Sequence, residues 1–173
     1  MDEEQEELFK TLFTDSVPES YKKYEGDKIR MRYFGHACIL IETKDISVLV
    51  DPLISYYGYM SSVEHFSDFD LPDEIDYVLI THNHQDHILF ETLLPLRHRV
   101  KNIIVPRAGD GPLQDPSLKL MFENIGFENI IELGTMESIK MNDCLIQALP
   151  FTGEHSDLDV KAKACFSVKV DDF

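Results

Sequence analysis

The sequence is poor in cysteine, and its three cysteines show no pattern typical of a disulfide framework. Cys38, Cys144 and Cys165 lie singly in apolar surroundings, their number is odd, and no C-x-x-C pair occurs. Small secreted domains that depend on disulfides carry cysteines in larger, even numbers. We therefore expect buried thiols in a reducing compartment, and the cytoplasm fits this expectation.

The sequence also lacks a long apolar run. Its first 13 residues, MDEEQEELFKTLF, are acidic where a secretory signal begins with basic residues and continues with apolar ones. No uninterrupted apolar stretch approaches the roughly 20 residues that a membrane span needs. We therefore predict a cytoplasmic protein with no export signal and no membrane partner.

Positive charge is scarce as well. The chain has 16 basic and 32 acidic residues, for a formal net charge of −16, which repels nucleic acid phosphates over most of the surface. Nucleic acid is therefore not an expected partner. One stretch, residues 95–107, interrupts the acidity with Arg97, Arg99, Lys101 and Arg107. It is either ordinary solvated charge or an anion-docking patch beside a pocket.

The length and composition predict one globular domain with an N-terminal extension. A chain of 173 residues with 43% hydrophobic content can bury a core without disulfides. Residues 1–28 are acidic, and Leu8, Phe9, Leu12 and Phe13 form a narrow apolar stripe on a helix. We predict a helical appendage at residues 1–28 and a core domain at residues 29–173.

Short β patterns dominate the predicted core domain. The first three form an antiparallel meander, and later strands alternate with helical patterns, which indicates a layered domain that mixes α and β elements. The predicted strands cover residues 29–35, 37–43, 46–52, 75–81, 102–106, 129–133, 137–141, 144–150 and 165–170.

Two helices and one long loop complete the expected order of elements. The first helix covers residues 87–96 and stops near Pro95; the second covers residues 115–126, with Asp115 as N-cap, Pro116 in its first position and Gly126 at its end. Residues 55–76 show no convincing period and predict a long loop, which could border a pocket.

The motif that carries chemistry is THNHQDH, at residues 81–87. His82 and His84 stand two apart on a chain that is leaving a strand, so their side chains can point the same way, and Asp86 and His87 follow where the turn enters a helix. Four groups able to bind a metal therefore converge on one small volume. The alternative is a set of surface histidines; the density of the pattern favours a metal site.

This H-x-H-x-D-H motif at the end of a strand resembles the signature of the metallo-β-lactamase-fold superfamily. The resemblance runs from about Lys28 to the C-terminus and includes VLVDP, which is similar to the family's strand ending in an aspartate. It implies an αββα sandwich with a dinuclear centre, in which His82 and His84 hold one metal and Asp86 and His87 hold the other. Asp51 would support the histidine loop by hydrogen bonds, or else be an ordinary turn residue before Pro52.

The next ligand of the family is a histidine that follows a glycine, and here the sequence departs from the pattern. Aligning Gly153 of ALPFTGEHSDLDV with that glycine puts Glu154 at the ligand position, with His155 as the alternative. An added carboxylate shifts a site of imidazoles toward iron or manganese and away from zinc. We expect two metal ions, with iron favoured and zinc or manganese as alternatives.

One branch of the superfamily is similar in these details. The diiron oxygenases that β-hydroxylate aminoacyl groups on carrier proteins use a glutamate at this position, and the segments THNHQDH, ETLLPLRH and GEH-x-DL resemble theirs. The branch enzymes have a large N-terminal domain, whereas about 28 residues precede the core here. The resemblance implies a small-molecule substrate or one tethered to a carrier protein.

The end of the sequence bears on catalysis. The family's bridging aspartate and final histidine would follow the strand at residues 165–170, but the chain stops at Phe173, and Asp171 and Asp172 fit solvated turn residues. We therefore expect about the N-terminal half of the sandwich. Three functions stay open: a diiron oxygenase acting on a C–H bond of an amino-acid-derived substrate; a metallohydrolase of an ester, lactone or phosphodiester, in which Asp86 orients the attacking water; or an inactive metal-binding fragment.

The remaining histidines have less specific settings. His36 follows Gly35 in a β turn and is expected either to be structural or to line a pocket. Glu64 and His65 on the long loop, and His98 in the basic stretch, are expected to be solvated, and Asp157 and Asp159 to be turn residues.

Overall fold

The computed structural model describes residues 2–13, 21–54, 65–108, 115–141, 144–151 and 162–170. In these ranges the chain forms three α-helices, one 3-10 helix and nine strands. The helices are α1 (Glu3–Lys10), α2 (Phe90–Leu96) and α3 (Leu118–Asn124), and the 3-10 helix is Asp68–Asp70. The strands are β1 (Arg30–Gly35), β2 (Cys38–Glu42), β3 (Ser47–Val50), β4 (Ile75–Leu79), β5 (Val100–Pro106), β6 (Ile130–Leu133), β7 (Ser138–Met141), β8 (Cys144–Pro150) and β9 (Ala164–Val170).

The strands form two sheets. The larger sheet has the order β1-β2-β3-β4-β5-β6, in which β1 to β3 are antiparallel and β3 to β6 are parallel. The smaller sheet, β7-β8-β9, is antiparallel. The predicted meander of β1 to β3 is therefore confirmed, and the switch to parallel pairing brings the carboxyl ends of β3 and β4 to one edge of the larger sheet.

Neighbouring residues of the larger sheet enter two different apolar cores. In β3, Leu49 faces a core shared with α2 and α3, whereas Val48 faces a second core shared with the smaller sheet; in β5, Ile103 and Ile104 divide in the same way. This arrangement follows from the alternation of side chains along a strand. The described residues thus form three layers, a helical layer, a sheet and a second sheet.

The cap of α3 differs from the sequence-based prediction. Ser117, not Asp115, is the N-cap, and its hydroxyl accepts a hydrogen bond from the Leu120 amide at 3.3 Å. Asp115 is instead buried, with contacts outside the helix. Gly126 follows the helix end with a φ of 89°, a left-handed conformation that glycine adopts without steric cost. In α2, Pro95 lies inside the last turn, and the helix ends at Leu96.

The predicted N-terminal helix is present as α1. It begins with a capping box between Asp2 and Gln5, and Leu8, Phe9, Leu12 and Phe13 are exposed on and just beyond it. Residues 21–24, which the predicted boundary assigns to the appendage, contact the larger sheet, since the Tyr21 hydroxyl bonds the buried carboxylate of Glu42. In the parts of the chain that are described, every helix is too short or too polar to cross a bilayer.

Candidate metal centre

The histidine loop leaves β4 at the edge where β3 and β4 end together. The Asp51 amide donates to the Leu79 carbonyl at 2.9 Å, which continues the parallel pairing to the last residue of β4. On the other side, the Ala164 amide of β9 donates to the Thr81 carbonyl at 3.0 Å. The loop is therefore held by both sheets, and such a crevice at the carboxyl ends of parallel strands is a common place for a ligand site.

Four of the five side chains predicted to bind metal, those of His82, His84, Asp86 and His87, lie near one another there. The ring centroid of His82 lies 4.6 Å from that of His84 and 4.0 Å from that of His87. His82 is buried, and the Nε2 atoms of both His82 and His84 are shielded from solvent. The Asp86 carboxylate lies beside this group, with Oδ2 at 3.9 Å from His87 Nε2.

Asp51 holds the histidine loop in place through contacts with Thr81 and His87. Its Oδ1 accepts a hydrogen bond from the Thr81 amide at 2.8 Å, and its Oδ2 contacts the Thr81 hydroxyl at 2.7 Å and His87 Nδ1 at 2.8 Å. The carboxylate is only 1% exposed. Asp51 also adopts a φ of 39°, a conformation unusual for residues other than glycine. Asp51 thus holds Thr81 and His87 in place, and its supporting role at a metal stays a prediction.

The same contacts select the ring nitrogens that face a metal. His87 Nδ1–H donates to Asp51, which leaves Nε2 as the electron-pair donor. The Thr81 hydroxyl donates its one proton to Asp51, so it accepts from His82 Nδ1 at 2.9 Å. Nε2 of His82 is then the basic nitrogen as well. Sequence reasoning missed Thr81, because its role depends on a partner 30 residues away.

Local charge favours a cation. Burial lowers the pKa of His87, but its hydrogen bond to Asp51 and the charges of Asp51 and Asp86 outweigh burial and hold that pKa above its usual value. Partial burial raises the pKa of Asp86, but a backbone hydrogen bond and the nearby histidines outweigh it and lower that pKa. Asp86 is therefore an anion at neutral pH.

His36 lies beside the same group of side chains, and its two expected roles, structural or pocket-lining, stay predictions. Its Nε2 lies 2.9 Å from Asp86 Oδ2, and its ring centroid lies 5.0 Å from that of His87. Ligand atoms of His36, Asp86 and His87 all lie within 4.8 Å of one another. The signal in the sequence was the Gly35-His36 pair directly after a strand.

A second buried carboxylate, Asp115, braces the loop from the side of α3. Its Oδ2 accepts a hydrogen bond from the Ala162 amide at 2.9 Å, and Asn83 Nδ2 lies 3.5 Å from its Oδ1. It thus connects the start of α3, the histidine loop and the segment that enters β9. Sequence reasoning took Asp115 for a helix cap and missed this role.

A cavity of about 300 Å³ opens beside the histidines. His82, His87 and Thr81 form one wall, and residues next to and within β9, among them Lys163 and Cys165, form part of another. Most of the lining is apolar, so a substrate held there would be partly shielded from water.

Further residues were singled out in the sequence. Eight of them fall outside the described residues: Glu64, Gly153, Glu154, His155, Asp157, Asp159, Asp171 and Asp172. His65 and His98 are exposed. The four cations of the basic stretch bond within the chain: Arg97 and Arg99 to backbone carbonyls, and Lys101 and Arg107 to carboxylates. These contacts favour the interpretation of residues 95–107 as ordinary surface charge over that of an anion-docking patch.

The residues present fit a metal centre in their donor chemistry. Imidazole and carboxylate groups suit zinc, manganese and iron, and the contacts of Asp51 and Thr81 leave Nε2 of His87 and of His82 as the basic nitrogens. Metal-binding histidines are typically oriented by such partners on their other ring nitrogen. The arrangement can therefore hold cations beside a small, largely apolar cavity.

A family model described as a β-lactamase superfamily domain matches residues 30–172. Among curated proteins, 4-amino-L-phenylalanyl-[CmlP-peptidyl-carrier-protein] 3-hydroxylase of Streptomyces venezuelae is 42% identical over 140 residues, which cover 80% of this chain and 26% of that protein. The chain thus spans about a quarter of the length of that relative.

Solved structures give the same relationship. The crystal structure of CmlA, a diiron β-hydroxylase from Streptomyces venezuelae, matches 99% of this chain and 31% of its own with a TM-score of 0.78 and 38% identity. Igni18, a metallo hydrolase from Ignicoccus hospitalis, matches 83% of this chain and 57% of its own with a TM-score of 0.59 and 21% identity. The second match is a likeness of fold alone.

Proposed function

The chain belongs to the β-lactamase superfamily, as the match over residues 30–172 shows, and from this premise we propose that it holds two iron ions and hydroxylates a C–H bond of an amino-acid-derived substrate. The family and the fold expected from the sequence are confirmed. The function goes beyond those findings. One observation carries it: the oriented cluster of His82, His84, Asp86 and His87 lies in a chain 42% identical to a hydroxylase.

In this proposal the two metal positions divide the cluster. His82 and His84 hold the first metal together with Glu154, which lies outside the described residues, and Asp86 and His87 hold the second. When bound, a pair of irons would supply the activation of O2 that C–H hydroxylation requires, with one oxygen atom going to the product, the other to water, and two electrons coming from an external reductant. Two imidazoles with one carboxylate are also the donor set that suits non-heme Fe(II).

The chain's own residues do the positioning. Asp51 and Thr81 keep the basic nitrogens of His87 and His82 directed at the metal sites. The cavity of about 300 Å³ receives the substrate, and its apolar lining keeps water away from the reacting carbon. Orientation and exclusion of water are the contributions a protein makes when a cofactor supplies the chemistry.

The substrate class follows from the relative. The Streptomyces venezuelae protein is named as a hydroxylase of an aminoacyl group on a peptidyl carrier protein. We extend this class to the present chain, with a carrier-tethered aminoacyl group as the substrate and a carrier protein as the partner. A free amino-acid derivative is the alternative, and turnover of each distinguishes them.

Metal content tests the choice between oxygenase and hydrolase. We expect elemental analysis to find iron, and the absorption spectrum to change on reduction and again on exposure to O2. Zinc together with ester, lactone or phosphodiester turnover would instead support hydrolysis, with Asp86 orienting a metal-bound water. Absence of bound metal after Fe(II), Mn(II) and Zn(II) titration would favour the inactive fragment. The measurements are made on this chain and on any longer form that contains it.

The ligand assignment has a matched pair of variants. Glu154→His should shift metal preference from iron toward zinc and abolish O2 consumption, because it replaces a carboxylate by an imidazole. His155→Ala should keep iron. Loss of metal in His155→Ala alone would assign the ligand to His155 and favour the hydrolase.

A further inference from the structure

We propose that His36 is a positioning residue, which holds the Asp86 carboxylate in the orientation needed at the second metal position. The proposal rests on the metal centre proposed above. It adds a residue to that centre from a separate part of the chain, the turn between β1 and β2, 50 residues before Asp86 in the sequence.

The contact is direct. His36 Nε2 lies 2.9 Å from Asp86 Oδ2, the same oxygen that lies 3.9 Å from His87 Nε2. The His36 ring nitrogen therefore lies within direct polar contact of that carboxylate. The edge of the ring also packs near His87, with 5.0 Å between centroids. His36 therefore touches both residues assigned to the second metal.

Asp86 needs such a partner because of where it stands. Its side chain is 57% exposed, whereas the side chains of Asp51 and His82 are buried. An exposed aspartate side chain ordinarily samples several rotamers, and fixing it costs conformational entropy. The contact with His36 restricts the Asp86 side chain before a metal binds, so the site is organised in advance.

The backbone at His36 indicates a function for this side chain. His36 has a φ of 49° directly after Gly35 with a φ of 116°, where the β1–β2 pairing becomes irregular. A left-handed conformation is unfavourable for a residue with a Cβ, and glycine or asparagine would be better suited to this turn. Strained positions of this kind cluster at functional sites. The turn places imidazole over Asp86 at the expense of local stability.

Two substitutions separate positioning from a purely structural role. His36→Asn suits a left-handed residue but is too short to reach Asp86; His36→Gln keeps an N–H donor near the place of Nε2 but suits the turn less well. Both are titrated anaerobically with Fe(II) in competition with a chelator. The thermal unfolding midpoint of each metal-free chain is measured in parallel.

We expect opposite orders in the two measurements. His36→Asn should bind Fe(II) roughly 10–100-fold more weakly at one of the two positions, as is typical when a supporting partner of a ligand is lost, while its metal-free midpoint equals or exceeds that of the wild type. His36→Gln should recover most of the affinity with a lower midpoint. If the role of His36 were only structural, the Fe(II) affinities of the two variants would follow the same order as their metal-free unfolding midpoints.

Three results would overturn the proposal. Unchanged Fe(II) affinity in His36→Asn would show that His36 does not position the Asp86 carboxylate. Complete loss of one equivalent of metal in both variants would make His36 a ligand. If the wild-type chain itself bound no metal, the proposed function would fail together with this inference, whereas normal wild-type binding with unchanged variants defeats the inference alone.

Discussion

Asp51 joins three groups of the candidate site. Its two oxygens contact the Thr81 amide, the Thr81 hydroxyl and His87 Nδ1 at 2.7 to 2.8 Å. A carboxylate with three such contacts, one of them through a histidine, orients a ligand and does not replace it. The carboxylate also raises the pKa of His87 against the opposite effect of burial.

Replacing this carboxylate should weaken metal binding without abolishing it. We predict that Asp51→Ala lowers Fe(II) affinity about 10–100-fold, since His87 and Thr81 lose the partner that orients them. Competition with a chelator measures the change, and Asp45→Ala, an exposed aspartate outside the site, is the control. Complete loss of bound metal in Asp51→Ala would identify Asp51 as a direct ligand.

At the scale of elements, the histidine loop depends on segments that are far apart in the sequence. Asp115 precedes α3, yet its carboxylate receives the amide of Ala162 ahead of β9 and lies near Asn83 between the two histidines. The helical layer and the smaller sheet are thereby connected through one buried side chain. The position of the loop thus depends on how these layers pack.

Removing this buried acceptor should destabilise the fold. We predict that Asp115→Ala lowers the free energy of unfolding by about 2 kcal/mol, because the Ala162 amide is left buried without its acceptor. Asp115→Asn retains an acceptor oxygen and should lose clearly less. Urea unfolding of the metal-free chains measures both. Equal losses in the two variants would mean that the hydrogen bond to Ala162 contributes little.

At the scale of the molecule, the candidate centre lies at an edge of the layers and outside their apolar interiors. One core joins the larger sheet to α2 and α3, the other joins the two sheets, and the imidazoles belong to neither core. The fold therefore has its main source of stability in buried apolar surface, and the metal adds to it by binding the folded state.

Metal removal should accordingly leave a folded chain. We predict that His82→Ala with His84→Ala loses most bound metal but keeps the far-ultraviolet circular dichroism of the wild type. Its unfolding midpoint should fall toward that of the chelator-treated wild type, about 5–10 °C below the loaded chain. His98→Ala, an exposed imidazole, is the control. Unchanged metal stoichiometry in the double variant would contradict the site assignment.

The sequence by itself determined the family, the order of elements and the short-range group of His82, His84, Asp86 and His87, because strand periodicity and motif spacing are local properties. Only the tertiary structure decided which distant side chains complete that group. His36 and Asp115 reach it from two other segments, through strand pairing and layer packing that no local pattern records, whereas Asp51 was expected there from the family resemblance. The N-cap of α3 is a further example. By residue type Asp115 and Ser117 both suit an N-cap. In the structure Ser117 is the N-cap, and Asp115 instead accepts a hydrogen bond from the Ala162 amide.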